Sequence, residues 1–184
     1  RWKCTLAEIA QPLLKESINL YAEAFMRLNS DKGAFPTNDA ALEGLRKRLT
    51  AWGVPEGSYQ LVDGSGLSRR DAISPEAIMT VLRRMADNSS ASPIVSALPV
   101  AGVDGSLTTR MKGTTAEGNV RAKTGTLRDT SAVAGYVRAE DGELRIVAAI
   151  VNHPLATHKV ARPILDEIME WAAAEPQPVA ASAR

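Results

Sequence analysis

The chain has 184 residues, 45% of them apolar, enough for one domain with a sizeable core and too few to make two domains the expected arrangement. Lysine plus arginine number 22 against 21 aspartates plus glutamates, and the net charge of +1 gives no electrostatic ground for a nucleic-acid partner. No apolar run reaches the roughly 18 to 20 residues that cross a bilayer.

The first residue is Arg1 with no charged-then-apolar leader, so the chain reads as a processed or truncated product whose signal peptide, if any, lies out of view. Cys4 is the sole cysteine, which excludes an internal disulfide framework and a cysteine-based metal site. His153 and His158 flank Pro154 with no carboxylate motif beside them, and are expected at the surface or at a helix entry. No metal is expected.

In chain order, Leu6, Ile9 and Ala10 suggest a short helical turn, and Pro12 suits the first position of a new helix. Leu13 and Leu14 continue an apolar face. Leu20, Tyr21, Ala24, Phe25 and Leu28 follow at helical spacing, so Ser17 and Asn19 fall between two helical patterns, where capping the second helix is the plain expectation. The polar stretch Asn29 to Asn38 reads as a loop. Leu42, Leu45 and Leu49 then mark an amphipathic helix capped by Thr37 or Asn38 and ended by Trp52-Gly53-Val54-Pro55. Tyr59 to Val62 has the residues of a short strand and runs into Asp63-Gly64-Ser65-Gly66-Leu67. That glycine pair lacks the spacing of a phosphate loop and reads as a tight structural turn near a site. Ser74-Pro75-Glu76 starts a helix that buries Ile78, Met79, Leu82 and Met85. Ser92-Pro93 starts another, leading through Ile94, Val95 and Leu98 to Pro99. Gly102 and Asp104-Gly105 make turns before a short segment, Ser106 to Met111.

Val120 to Leu127 is read as a strand that carries chemistry. Period-two alternation puts Arg121, Lys123 and Gly125 on one face and Val120, Ala122 and Thr124 on the other. A glycine in mid-strand often marks the close approach of a ligand or another backbone. Ser131 to Arg138 and Leu144 to Val151 are two further strands, joined by Glu140-Asp141-Gly142-Glu143, a strong hairpin signal, so three consecutive antiparallel strands are expected. The second is almost wholly apolar, as in a strand covered on both sides. Val160, Ile164, Ile168 and Trp171 form the stripe of a last helix expected to pack on the sheet. Residues 175–184, rich in Pro and Ala, are expected to be a disordered tail. The fold class expected is α/β (α+β), an antiparallel sheet with packed helices.

With Ser17-Ile18-Asn19 before a helix, Asp63-Gly64-Ser65-Gly66-Leu67-Ser68 in the middle and Lys123-Thr124-Gly125 on a strand, the chain resembles the serine D-alanyl-D-alanine carboxypeptidases and endopeptidases. These are the low-molecular-mass class C penicillin-binding proteins, peptidase family S13. The likeness runs from about Leu6 to Ala173. It also rests on Glu16 to Glu23, on Ile73-Ser74-Pro75, on Leu98 to Leu107 and on Arg121-Ala122 and Thr126-Leu127 around the Lys-Thr-Gly. The family combines Ser-x-x-Lys, Ser-x-Asn and Lys-Thr-Gly. Here no serine has a lysine three residues later, and Thr109 to Lys112, which has the spacing with threonine, comes too late in the order. The resemblance therefore implies that residues 1–174 are the C-terminal part of a β-lactamase/transpeptidase-like domain, with the nucleophile part missing.

By that resemblance Ser17 relays a proton to the departing D-alanine amine and Asn19 hydrogen-bonds the substrate's amide carbonyl. Lys123 sets the field over the site and Thr124 grips the terminal carboxylate beside the bare Gly125. The backbone N–H of Thr126 is half of an oxyanion hole. Arg121 is expected to be structural or at the surface. The implied partners are peptidoglycan stem peptides, β-lactams and the missing N-terminal part of the same protein, with no cofactor and no nucleic acid. The implied place is the bacterial cell envelope, periplasmic or secreted. A non-catalytic peptidoglycan- or partner-binding module of the same fold, and a related β-lactamase or esterase, are the alternatives.

Overall fold

The computed structural model describes residues 4–30, 36–152 and 157–174. α1 (Leu6–Glu16) opens on a capping box, the Thr5 hydroxyl accepting the Glu8 N–H and the Glu8 carboxylate accepting the Thr5 N–H. Pro12 does not open a second helix but lies inside α1. Its missing N–H removes one helical bond, yet the buried Ala10 and half-buried Leu13 and Leu14 lie on either side of it, and packing of that face carries the helix through. α1 ends at Ser17, whose φ of 55° and ψ of 49° are left-handed, and α2 (Asn19–Arg27) starts after Ile18. Ile18 is the cap residue and receives no side-chain bond, so neither Ser17 nor Asn19 caps α2.

α3 (Asn38–Ala51) begins under the Thr37 hydroxyl, which accepts the Ala40 N–H, and buries Ala41, Leu42 and Leu49 as its stripe requires. β1 (Tyr59–Gln60) is shorter than the sequence suggests and pairs antiparallel with β2 (Ala72–Ile73). β2 carries no alternation to betray it. α4 (Pro75–Ala86) starts at Ser74, whose hydroxyl accepts the Ala77 N–H. Its fully buried residues are Ala77 and Leu82, with Ile78, Met79 and Met85 half-buried. α5 (Ser92–Ser96) takes Ser92 as its first residue rather than as a side-chain cap.

β3 (Val120–Thr126), β4 (Thr130–Arg138) and β5 (Leu144–Asn152) form one antiparallel sheet in the order β3-β4-β5, as the hairpin signal implies. α6 (His158–Ala173) covers one face, where Leu165 and Met169 pack on Val120, Ala122, Val133 and Val137. On the other face Tyr136, Ala134 and Ile146 meet Leu82, Leu98 and Leu14, and the Tyr136 hydroxyl donates to the Leu82 carbonyl at 2.7 Å. At Gly135 of β4, the strands β3 and β4 leave no room for a side chain: a Cβ would fall 2.1 Å from the Arg121 carbonyl oxygen. Any larger residue would push the strands apart.

One expectation for the last third holds and one is corrected. β5 has helices on both faces, Val147, Ala149 and Val151 packing on the α6 side and Ile146 on the α4 side, and its interior residues are half-buried because it is the outermost strand of its sheet. The stripe of α6 is displaced by one residue. The buried residues are Ala161, Leu165, Met169, Ala172 and Ala173, the first four one step behind the bulkier Val160, Ile164, Ile168 and Trp171. Of those, Val160, Ile164 and Trp171 are 57%, 45% and 80% exposed. Both stripes have helical spacing, and the small alanines let the helix sit closer to the sheet. His158 stands at the start of α6, while His153 and the tail 175–184 lie outside the described residues.

An open strand edge and an apolar helix stripe are both sites of association. This chain alone is expected to self-associate, or to stay bound to the rest of its protein when the two are produced together. A monodisperse monomer in light scattering would contradict that.

Candidate active site

The site forms where the turn after α1 meets β3. Lys123 Nζ donates to Ser17 Oγ at 2.5 Å and to the Thr124 carbonyl at 2.8 Å, so the two motifs meet although 106 residues apart. Burial pushes the Lys123 ammonium below its usual 10.5.

Ser17 is held from behind. Lys15 Nζ donates to both Asp104 carboxylate oxygens at 2.6 and 2.7 Å and to the Leu98 carbonyl at 2.7 Å. Asp104 also accepts the Val100 N–H at 2.9 Å. Burial alone would raise the Asp104 carboxyl, but Lys15 and the Val100 N–H hold it below the usual range. The segment so anchored lies along the outer edge of β3: Ala122 N–H donates to the Pro99 carbonyl at 2.9 Å and Ala101 N–H to the Val120 carbonyl at 3.0 Å. One ion pair thus ties α1, the Leu98 to Leu107 run and β3 together.

The cover on that edge stops at Ala122. Leu127 N–H donates to the Thr130 carbonyl, towards β4, so by alternation the N–H of Thr126 faces the outer edge. It has no acceptor among the described residues. Thr124 lies on the opposite face from Lys123, and its hydroxyl donates to Ser106 Oγ at 2.8 Å. Gly125 is exposed, and a Cβ there would meet only the Ala132 Cβ, at 3.7 Å. The chain's own packing does not require a glycine. Asn19 is exposed in the first turn of α2, two residues from Ser17, with no hydrogen bond to a described residue. Arg121 is exposed on the Lys123 face of β3.

The Asp63 to Ser68 turn is fastened by carboxylates. Asp63 accepts the N–H groups of Gly66 and Ser68 at 2.5 and 2.7 Å. Glu23, on α2, accepts those of Gly64 and Ser65 at 3.1 and 2.9 Å. These N–H groups are already taken, which fits a structural turn rather than a phosphate loop. The sequence reading assigns no role to Lys15, Asp104 or Glu23. Glu23 and Asp104 sit inside the segments that carry the family likeness, but a lone charge on a helix or turn does not announce a partner 40 or 90 residues away.

A family model described as the D-Ala-D-Ala carboxypeptidase 3 (S13) family matches residues 4–175. The chain belongs to the S13 family. It is 38% identical over 136 residues to a D-alanyl-D-alanine carboxypeptidase of Actinomadura sp. (strain R39), covering 71% of this chain and 25% of that protein. It is 31% identical over 137 residues to D-alanyl-D-alanine carboxypeptidase DacB of Haemophilus influenzae, covering 71% of this chain and 28% of that protein. The S13 chain therefore spans about a quarter of the length of the curated relatives it matches. Among solved structures, penicillin binding protein 4 (dacB) of H. influenzae, complexed with a β-lactam, superposes with a TM-score of 0.75 at 25% identity, over 89% of this chain and 41% of that one. The TLA-3 extended-spectrum β-lactamase superposes at 0.71 with 15% identity, over 93% of this chain and 64% of that one, a likeness of fold. The β-lactamase/transpeptidase-like fold class expected from the sequence is borne out.

Two outcomes test the site. Gly125→Ala should leave the melting temperature unchanged, because the methyl enters open space on the Lys123 face rather than the core. A fall in melting temperature would contradict it. For Lys123, the folded state releases its proton at lower pH than the unfolded chain. Between that lowered value and 10.5 the unfolded state binds more protons, so stability rises with pH. Lys123→Met should flatten that rise in urea unfolding as pH climbs towards 10.5, and an unchanged slope would contradict it.

Proposed function

We propose that the intact protein is a serine-type D-Ala-D-Ala carboxypeptidase or endopeptidase of the bacterial cell envelope, periplasmic or secreted, acting on peptidoglycan stem peptides. This chain supplies the proton-relay and substrate-binding side of its site. The observation that carries the proposal is the Lys123 to Ser17 hydrogen bond beside the unpaired N–H of Thr126.

A serine hydroxyl is a weak nucleophile and needs an adjacent base. The chain has no Ser-x-x-Lys, so both groups are assigned to the rest of the protein. That serine attacks the carbonyl carbon of the penultimate D-alanine and its lysine takes the proton. The Thr126 N–H donates to the oxyanion, a kind of contact worth about 3–4 kcal/mol of barrier. The C–N bond then breaks, and Ser17, oriented by Lys123, passes a proton to the departing D-alanine amine. Asn19 holds the substrate's amide carbonyl, Thr124 takes the terminal carboxylate, and Gly125 keeps that stretch of strand low enough for the peptide to approach. Water cleaves the acyl ester and restores the serine. The outer edge of β3 beyond Ala122 is free for the peptide to add as a further strand.

β-Lactams mimic the acyl-D-alanyl unit and react with the same serine. Labelling with a fluorescent penicillin followed by intact mass should give one penicilloyl adduct on the intact protein, at a serine outside this chain, and none on this chain alone. An adduct on a serine or threonine of this chain would overturn the division of labour. Absence of any adduct on the intact protein would overturn the enzyme itself.

A further inference from the structure

β1 and β2 share only two residue pairs, so the loop between them is kept closed by side chains. Asp71, at the entry to β2, does much of this. Its Oδ1 accepts the Val62 N–H at 2.6 Å, and its own N–H donates to the Ser68 carbonyl at 3.1 Å. Its other carboxyl oxygen, Oδ2, is buried and has no donor among the described residues. A charged oxygen sealed from water without a donor is costly.

The neighbouring group is a second acid. The Asp63 and Asp71 carboxyls are in hydrogen-bonding contact, and two carboxylates so placed do not both stay ionised. The donors around them decide which one does. Asp63 accepts the Gly66 and Ser68 N–H groups at 2.5 and 2.7 Å. Burial would raise its carboxyl, but these donors and the contact with Asp71 hold it below the usual range. Burial pushes the Asp71 carboxyl above its usual 3.8, and the charge of Asp63 adds to this against the pull of the Val62 N–H.

The charges on the surrounding elements do not relieve the pair. Arg46, from α3, spends Nη2 on the Leu61 carbonyl, and Arg69 pairs with Asp129. Arg70 is exposed. Glu23, from α2, brings a further negative charge to the Gly64 and Ser65 N–H groups. Among the described residues no cluster of three or more His, Cys, Asp or Glu is placed to hold a metal ion, so a proton is the cation left to neutralise the pair.

We infer that Asp71 carries a proton in the folded protein, on the buried Oδ2, and donates it to the Asp63 carboxylate, making the pair an acid-held latch on the loop between β1 and β2. Through Glu23, four residues beyond Asn19, the latched turn bears on α2. None of this depends on the function proposed above. Between 3.8 and the raised value of Asp71 the folded state keeps a proton that the unfolded state has lost, so the latch weakens as pH rises. Below 3.8 the lowered Asp63 acts in the opposite sense, and the latch weakens as pH falls.

Hydrogen-exchange mass spectrometry of residues 62–70 in the intact protein, corrected for the intrinsic exchange rate at each pH, tests this. Protection should fall by up to about ten-fold per pH unit as pH rises from 3.8 through the raised value. Asp71→Asn donates to Asp63 at every pH and still accepts the Val62 N–H. It should abolish the fall and be the better protected of the two once the unaltered Asp71 has ionised. The infrared difference spectrum between the unaltered protein and Asp71→Asn should show a protonated carboxyl just above 3.8 that fades as pH rises. The same pH profile in both proteins, weaker protection in Asp71→Asn after that fading, or no protonated carboxyl in the difference spectrum would overturn the inference.

Discussion

The ion pair between Lys15 and Asp104 is the constraint on which the site depends. Its ammonium makes contact with both carboxylate oxygens and a backbone carbonyl, and the Lys15 side chain is only 17% exposed. Charge-assisted bonds in such a setting are strong, and deleting one partner leaves the other charge poorly solvated. The pair also decides geometry. Lys15 is two residues before Ser17, whose left-handed backbone turns the chain from α1 into α2, and Asp104 belongs to the run whose backbone bonds to β3. The packing of Leu14, on α1, with Ala134, Tyr136 and Ile146 of the sheet acts with that tie to fix the distance between the Ser17 hydroxyl and the Lys123 ammonium.

Strand alternation then divides the labour. One face of β3 points Lys123 at Ser17 and, in the proposed function, serves proton transfer. The other points Thr124 at Ser106 and a pocket under α6 and, in the same proposal, takes the terminal carboxylate. The outer edge, between the two, presents the Thr126 N–H. The three proposed tasks thus fall on one strand without their groups competing for space, and Gly125 leaves the Lys123 face clear. Gly135 has the complementary role on β4: it is required by the fold, since a Cβ would run into the Arg121 backbone, whereas Gly125 is not.

Much of this was legible in the sequence where a local pattern had a local cause. The caps at Thr37 and Ser74, the hairpin around Asp141-Gly142 and the alternation on β3 each depend on residues within a few positions, and each is found as read. What was not legible depended on partners far away. Pro12 inside α1 is tolerated because of packing that the local rule does not weigh. The buried stripe of α6 was read one residue off because Val160, Ile164, Ile168 and Trp171 are more hydrophobic than Ala161, Leu165, Met169 and Ala172. Closeness to the sheet, not hydrophobicity, selected the smaller set. The Lys15, Glu23 and Asp104 contacts have no periodic signature, and the local pattern around Ser17 reads as a helix cap, so that only the family resemblance singled out this serine, whose hydroxyl accepts from Lys123.

The position of the open surfaces bears on how the rest of the protein completes the site. The sheet order β3-β4-β5 puts the substrate edge at β3 and the other open edge at β5, two strands away. A segment that covers β5 therefore leaves the substrate edge free. From β5 to the site, the face that carries Lys123 is low. Lys123 is in register with Ala134, which pairs with Ala148, and Gly125 with Ala132, which pairs with Ile150. Except for Ile150 the side chains of that row are small, which leaves room for the element that, in the proposed function, brings the serine to Ser17 and the Thr126 N–H. The half-site is organised by its own contacts, so in the proposed function the remaining protein has to deliver a residue rather than shape a pocket.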